Sequence, residues 1–215
     1  MNVVDDYKSD YWNTPKMWQG STVYVLGGGS SLLQENLSLI HGERVIGVND
    51  AFVMGDWVDM VWFGDPRWYE WNEQEMIQFG GLKACCCEIM RKVPSANVKV
   101  LDRGKKMGLE ERAEYISFNY SSGGSAVNLA TKLGANRVVL LGFDMKPDKD
   151  GQYWWHDRHH VKKFDIDPYP RFIEAFEHIG KEARGLGIEI VNSTMCSLIP
   201  KEFIPKMPLE EVIEN

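Results

Sequence analysis

SSGGSAVNLATKLGANRVVLLGFD, residues 121–144, is the stretch that decides the fold. Two serines at its start suit the N-cap of a helix, and apolar residues then recur with helical spacing up to Leu133. Gly134 follows, as glycine often does where a helix ends. The apolar, β-rich run at 137–141 is typical of a buried strand. The stretch therefore predicts a helix followed directly by an interior strand of an α/β sheet.

Apolar runs of the same kind recur along the chain and predict further strands at 23–26, 44–48, 60–63, 83–89, 98–101, 116–118 and 188–191. Between them, helical patterns predict helices at 31–40, 66–79 and 169–186 and a short helix after residue 200. Strands that alternate with helices favour a mostly parallel sheet covered on both faces. We therefore predict an α/β, three-layer Rossmann-like fold in a single domain, residues 1–215.

Residues 145–168 break this pattern, because they combine turn residues, aromatic residues, charges and three histidines. A connection of this length is usually a lid or a binding loop. We therefore expect a histidine-bearing lid insertion at about 145–168 of a nucleotide-binding domain.

Composition excludes several classes of function. The net charge is −7 and no long Lys/Arg run occurs, which disfavours tight nonspecific binding to nucleic acid. No run of about 18 apolar residues is present, and the N-terminus lacks a secretory pattern, so a cytoplasmic protein with no membrane span is expected. Three adjacent cysteines at 85–87 lack the paired spacing of a zinc site, and we expect small buried strand residues there.

The first candidate binding motif is YVLGGGSSL, residues 24–32. Gly27, Gly28 and Gly29 follow a strand, and Ser30 then opens a helix. Glycine lets the backbone come close to a ligand, and a helix start offers N–H groups to a phosphate. No Gly-Lys-Ser/Thr follows, so this is not a Walker motif. The alternative is a tight strand–helix turn with no ligand.

Polar residues also follow the other predicted strands. Asn49 and Asp50 end the second strand, Asp65 the third, and Asp144 the strand at 137–141. Ligands of open α/β sheets bind at this carboxyl edge, so we assign Asn49, Asp50 and Asp144 to nucleotide binding and Asp65 to substrate or metal binding. The alternative for Asn49 and Asp50 is a turn or a helix cap, and for Asp65 it is a helix cap. For Asp144 the alternative is to orient a histidine of the loop that follows.

Ser121, Ser122 and Gly123 form a second small-residue helix start. Two such turns that face one crevice favour a phosphate or nucleotide site more than either alone. The alternative is close packing of the helix on the sheet through its glycines.

The predicted lid carries the candidate catalytic residues His156, His159 and His160. Histidine is the usual general acid or base near neutral pH, and the neighbouring Tyr153 and Trp155 suit contact with a base or a sugar. The spacing is too loose to indicate a metal site. Histidines of an ordinary surface loop are the alternative.

Together these motifs resemble the bacterial sialyltransferases that use CMP-activated sugar. LGGGSSL resembles their GxGxSL opening, VND the asparagine after their second strand, and the 121–145 stretch their SSG helix with a strand ending in G-[IF]-D. NSTMCSLIP resembles their C-terminal segment, so the resemblance covers about residues 23–212. The same skeleton occurs in phage proteins and in 6-hydroxymethylpterin diphosphokinases of the archaeal type.

The resemblance implies a metal-independent transferase that binds CMP through Gly27, Gly29, Ser30, Asn49, Ser122 and Gly123. It implies a lid histidine as general base, which would be His159, with His156 and His160 as alternatives. Tyr153 would assist the departing phosphate. The sequence departs from the family where Gly28 replaces an asparagine and Gly29–Ser30 replaces Gly-Pro.

We therefore expect a glycosyltransferase-like enzyme with a CMP-sugar donor, no required cofactor, and a glycan, protein or modified base as acceptor. One alternative is an ATP- and Mg-dependent diphosphokinase, in which Asp65 and Asp144 would bind magnesium. The other is a non-catalytic phage nucleotide-binding or accessory protein, which would lie in the host cytoplasm. The sequence leaves a homo-oligomer open.

Overall fold

The computed structural model describes residues 11–158 and 165–214. Its strands, in chain order, are β1 (Thr22–Leu26), β2 (Arg44–Val48), β3 (Met60–Phe63), β4 (Leu82–Cys85), β5 (Val98–Val100), β6 (Asp102–Arg103), β7 (Tyr115–Ile116), β8 (Arg137–Leu141) and β9 (Glu189–Asn192). Seven of them form one parallel sheet in the order β5-β4-β3-β2-β1-β8-β9, and β6 pairs with β7.

The α-helices are α1 (Pro66–Trp71), α2 (Glu73–Gln78), α3 (Ser122–Lys132), α4 (Tyr169–Gly185) and α5 (Leu209–Glu214). Short 3-10 helices occur at Ser30–Gln34, Leu37–Ile40, Asn49–Met54, Glu88–Lys92 and Pro94–Ala96. None of the helices in the described residues is long and apolar enough to cross a bilayer.

The sheet buries both of its faces. In β1, Val23 and Val25 join a core that includes α3 and α4, whereas Tyr24 and Leu26 join a second core that includes α5. Successive strand residues point to opposite faces, which explains why all four residues from Val23 to Leu26 are buried. The predicted α/β, Rossmann-like architecture with helices on both faces of a parallel sheet is confirmed.

The order of the strands creates a switch point between β1 and β8. From β1 the chain builds outward through β2, β3 and β4 to β5, and β8 then returns to pair with the other side of β1. Connections leave β1 and β8 toward opposite sides, so a crevice opens at their carboxyl ends. This crevice lies directly beside the glycine turn that follows β1.

Three sequence predictions fail in detail. The helix predicted at 66–79 is two helices, because Asn72 takes a non-helical backbone conformation and its Nδ2 donates to the Trp68 carbonyl. The helix predicted at 31–40 is two 3-10 turns interrupted at Asn36. The strand predicted at 83–89 ends at Cys85, since its carbonyl accepts the last ladder bond from the Leu101 N–H.

The loop that precedes β7 contains an ion pair between Glu110 and Arg112 and is bonded to α3 through Asn128. The Glu110 side chain is 6 % exposed and accepts bonds from Nε and Nη2 of Arg112 at 3.1 and 2.8 Å. Asn128 of α3, fully buried, accepts a bond from the Glu110 N–H at 3.2 Å. The bonds from Arg112 lower the pKa of Glu110 to about 2.

This ion pair makes stability depend on pH. The folded-state pKa lies below the ordinary 4.5, so the stabilisation is present above pH 4.5 and is lost as the pH falls toward 2. We expect Glu110→Gln to lower the free energy of unfolding by about 2 kcal/mol at pH 7, and by less than half of that at pH 3. Urea titrations at both pH values measure this. Exposed Glu111→Gln is the control, and an equal loss at both pH values would contradict the prediction.

Candidate functional site

The carboxyl ends of β1, β2, β3, β4 and β8 border one cavity of about 550 Å³. Parallel strands end at the same edge of a sheet, which is why residues distant in sequence meet there. Of the residues predicted from sequence, those that line it are Gly27, Gly28, Gly29, Asn49, Asp50, Asp65, Ser121, Ser122, Gly123, Asp144, Tyr153 and His156. Ser30 and Trp155 lie outside the lining, and His159 and His160 lie outside the described residues.

The glycine turn is bonded directly to the end of β8. The Gly27 N–H donates to the Leu141 carbonyl at 2.7 Å, and the Gly29 N–H donates to the Gly142 carbonyl at 2.9 Å. A Cβ atom at Gly29 would overlap the Asp144 carboxylate. Glycine is therefore required for this close approach. The turn leads into a 3-10 helix and not the predicted α-helix, so the helix-dipole argument for phosphate binding is weak here.

Asp144 lies at the back of the cavity, and its residue is 5 % exposed. Its Oδ2 accepts a bond from the Ser31 hydroxyl at 2.9 Å, and its Oδ1 accepts one from the Cys196 thiol at 3.2 Å. Burial raises the pKa of that thiol, and the bond to Asp144 raises it further. Asp144 therefore ties the glycine turn to the segment after β9.

The start of α3 faces the glycine turn across the cavity. Ser121 is the N-cap, as predicted, and its Oγ accepts a bond from the Gly124 N–H at 3.0 Å. A Cβ atom at Gly123 would lie 2.8 Å from the Phe143 ring, so the helix packs against the residue that follows Gly142. The first-turn N–H groups of any helix lack intrahelical acceptors and carry a partial positive charge. This side of the cavity is suited to an anionic group.

Unusual backbone conformations are concentrated at the cavity. Asn49, Tyr120 and Met145 line it and have φ angles of 51°, 54° and 55°. Such left-handed conformations cost on the order of 1–3 kcal/mol and are typical of binding and catalytic sites. The surrounding packing therefore holds these three residues in backbone conformations that they would otherwise disfavour.

Residues 153–158 cover one side of the cavity. The Trp155 N–H donates to the Gly28 carbonyl at 3.0 Å, and the Trp154 ring lies 3.1 Å from the place where a Cβ atom of Gly28 would be. Trp154 thus fills the space that a side chain at position 28 would need. This explains why glycine stands where the sialyltransferase pattern has asparagine.

The two adjacent tryptophans of this segment lie in different surroundings. Trp154 lines the cavity, whereas Trp155, predicted to contact substrate, packs against the core beneath β1 and β8. Trp155 does not line the cavity in this arrangement, and its assignment to substrate contact stays a prediction. Tyr153 stacks on Tyr169 with ring centroids 5.9 Å apart, and both line the cavity.

The Asp50 carboxylate is occupied by protein donors. It accepts bonds from Trp68 Nε1 at 2.9 Å and Arg158 Nε at 3.2 Å, and it lies 3.6 Å from His156 Nε2. The residue is 2 % exposed. The carboxylate thus has protein partners at both oxygens, and the assignment of Asp50 to nucleotide binding stays a prediction.

Asp65 caps α1. Its Oδ1 accepts a bond from the Arg67 N–H at 2.9 Å, and its Oδ2 pairs with the Arg67 guanidinium at 2.6 Å. The capping alternative thus holds, although both residues also line the cavity. Asp65 and Asp144 are each bonded to other groups, and no cluster of three or more potential metal ligands occurs in the described residues.

One wall of the cavity is aromatic, and its residues were not predicted from the sequence as part of a site. They are Phe118, Tyr120, Phe143, Tyr169 and Phe172. These residues come from the connections before α3 and after β8 and from the start of α4. Burial raises the pKa of the Tyr169 hydroxyl, and the nearby Asp144 raises it further. The helical spacing of apolar residues in α4 includes Phe172, but this spacing does not distinguish a residue that lines the cavity from one in the core.

Comparison with known proteins gives structural neighbours only. No protein-family model matches the chain, and no curated protein matches it in sequence. The sialyltransferase CstII from Campylobacter jejuni, solved with cytidine-5'-monophosphate, is similar in structure with a TM-score of 0.57 and 16% identity, over 88% of this chain and 86% of that one. CstII solved with a trisaccharide acceptor and CMP gives a TM-score of 0.52 at 16% identity, over 87% and 86% of the two chains.

The MAf glycosyltransferase from Magnetospirillum magneticum gives a TM-score of 0.63 at 11% identity, over 94% of this chain but only 35% of that one. At these identities the likeness establishes a fold of the glycosyltransferase type. It supports the sialyltransferase-like resemblance at the level of architecture, and it lends no support to the phage proteins or the pterin kinases.

Proposed function

We propose that this chain is a glycosyltransferase that takes a CMP-linked sugar as donor and transfers the sugar to a hydroxyl acceptor. The observation that carries the proposal is the cavity at the switch point, where the Gly27–Gly29 turn and the start of α3 face each other. Its volume of about 550 Å³ lies in the usual range for ligand sites. The CMP bound to the structural neighbour CstII supports the choice of nucleotide.

The reaction is a single displacement at the anomeric carbon. A lid histidine takes the proton of the acceptor hydroxyl, and the acceptor oxygen then forms the new bond to that carbon. The bond between the carbon and the CMP phosphate breaks, and its electron pair leaves with the phosphate. The N-terminus of α3 stabilises the charge that develops there, and Tyr153 assists from the opposite side. Such a displacement inverts the anomeric configuration.

Three histidines compete for the role of base. His159 is our first choice, with His156 and His160 as alternatives. His156 lines the cavity, and its imidazole is packed against Trp155 with ring centroids 4.5 Å apart.

Thermal unfolding in the presence of nucleotides tests the proposal. The panel is CMP, CDP, UDP, GDP and ATP, each measured with magnesium and with EDTA. A ligand at about 100 times its Kd adds roughly 2.7 kcal/mol, which raises the Tm of a chain of this size by about 5–10 °C. We expect this shift with CMP in EDTA. A shift with ATP that needs magnesium would favour a diphosphokinase, and no shift with any nucleotide would favour a non-catalytic protein.

A further inference from the structure

The Asp50 carboxylate joins two distant parts of the chain. It follows β2 in the first turn of a 3-10 helix and accepts a bond from Trp68 of α1. The same oxygen, Oδ2, lies 3.6 Å from His156 Nε2, and Oδ1 accepts a bond from Arg158 Nε at 3.2 Å. Both residues belong to the segment that covers the cavity. One buried side chain therefore links α1 and the end of β2 to the segment that covers the cavity.

Burial makes this contact costly to break. Removal of a carboxylate from water costs several kcal/mol unless a cation compensates it, and the Arg158 guanidinium supplies that charge. Arg158 Nη2 also donates to Asn72 Oδ1 at 3.0 Å and to Glu75 Oε1 at 3.0 Å. The half-exposed Glu75 adds little, since exposed ion pairs are weak. Asp50 is the charged partner that the protein shields from solvent.

The anchored residues adjoin all three candidate bases. His156 contacts Asp50 itself, and Arg158 directly precedes His159 in the chain, with His160 next. A general base must lie within hydrogen-bond reach of its proton, and a misplacement of about 1 Å reduces a rate by about a hundredfold. A base in this segment needs a fixed position relative to the acceptor, and the contacts of Asp50 with the segment provide it.

We infer that Asp50 is a positioning residue, which holds the covering segment 153–158 through His156 and Arg158 and thereby aligns His156, the candidate base among the described residues, with the acceptor. The role in alignment rests on the proposed function, whereas the anchoring of the segment does not. Asp50 acts through these residues and does not itself contact the nucleotide.

Asp50→Asn tests this inference, because asparagine keeps the size and an acceptor for Trp68 but removes the charge that faces Arg158. Asp59→Asn is the matched control. Asp59 also accepts a backbone bond, from Val45, and lies 3.7 Å from an arginine, Arg44, but it does not line the cavity. Amide hydrogen exchange of peptides within 145–158 reports anchoring without reference to activity. We expect about tenfold faster exchange in Asp50→Asn and no change in Asp59→Asn.

Steady-state turnover of a CMP-sugar reports alignment. We expect Asp50→Asn to lower kcat about 30-fold with KM within about threefold, and Asp59→Asn to leave both unchanged. Arg158→Gln should reproduce the loss, and the double variant should be no worse than either single one, because the two residues act as a unit. If Asp50→Asn does not fold, Arg158→Gln carries the test alone, since Arg158 is partly exposed.

Each contrary result has a distinct meaning. Unchanged exchange in a folded Asp50→Asn overturns the anchoring. Faster exchange with unchanged kcat overturns the alignment, and a raised KM with normal kcat makes Asp50 a ligand-binding residue instead. If the wild type turns over no nucleotide sugar, the proposed function fails, and exchange alone then decides whether Asp50 anchors the segment.

Discussion

Gly27→Ala is expected to destabilise the protein and abolish nucleotide binding. A Cβ atom at this position would lie 2.5 Å from the Gly142 carbonyl oxygen and 3.1 Å from the Phe143 ring. The neighbouring atom belongs to the backbone, and the bond from the Gly27 N–H to the Leu141 carbonyl holds the end of β1 against the end of β8. Neither strand end can therefore move at low cost. Overpacking of this kind costs about 1–3 kcal/mol, which lowers the Tm by about 2–12 °C.

The matched control for this substitution is Gly185→Ala at the end of α4. Nothing lies within 4 Å of its Cβ position, and its φ is not positive. Alanine there should leave the Tm unchanged or raise it, because it lowers the entropy of the unfolded chain. Calorimetry and CMP titration of both variants measure the two effects. An unchanged Tm and CMP affinity in Gly27→Ala would show that the two strand ends can separate freely.

Replacement of the lid base is expected to have the largest effect on catalysis. Removal of a general base costs about 10²- to 10⁴-fold in rate, whereas nucleotide affinity should stay within about threefold. His156→Gln, His159→Gln and His160→Gln are each compared in turnover of a CMP-sugar. His178→Gln on the exposed face of α4 is the control. Full activity in all three single variants would rule out a histidine base in the lid.

The interior strands, with their first and last residues, could be predicted from the sequence. The bounds of β2, β3 and β8 agree with the prediction to the residue, because each contains four consecutive buried residues without a charged side chain. Their polar ends could also be placed at one edge of the sheet, since all strands are parallel. This is why the two small-residue turns were expected to share a crevice.

Contacts between residues that are far apart in the sequence could not be predicted. Arg158 and Asp50 are 108 positions apart, and nothing in either local pattern indicates that they pair. The same contact uses Asn72, which interrupts what reads as a single helix. Trp154 and Trp155 are adjacent and chemically alike, so only packing decides which one lines the cavity.

The most direct test of the central claim is a crystal structure of the protein with CMP, grown in EDTA. The account predicts CMP in the cavity at the switch point, with its phosphate between the glycine turn after β1 and the first turn of α3. It also predicts that Asp50 stays bonded to Arg158 and makes no contact with the nucleotide. CMP bound elsewhere on the chain, or absent at saturating concentration, would contradict the account.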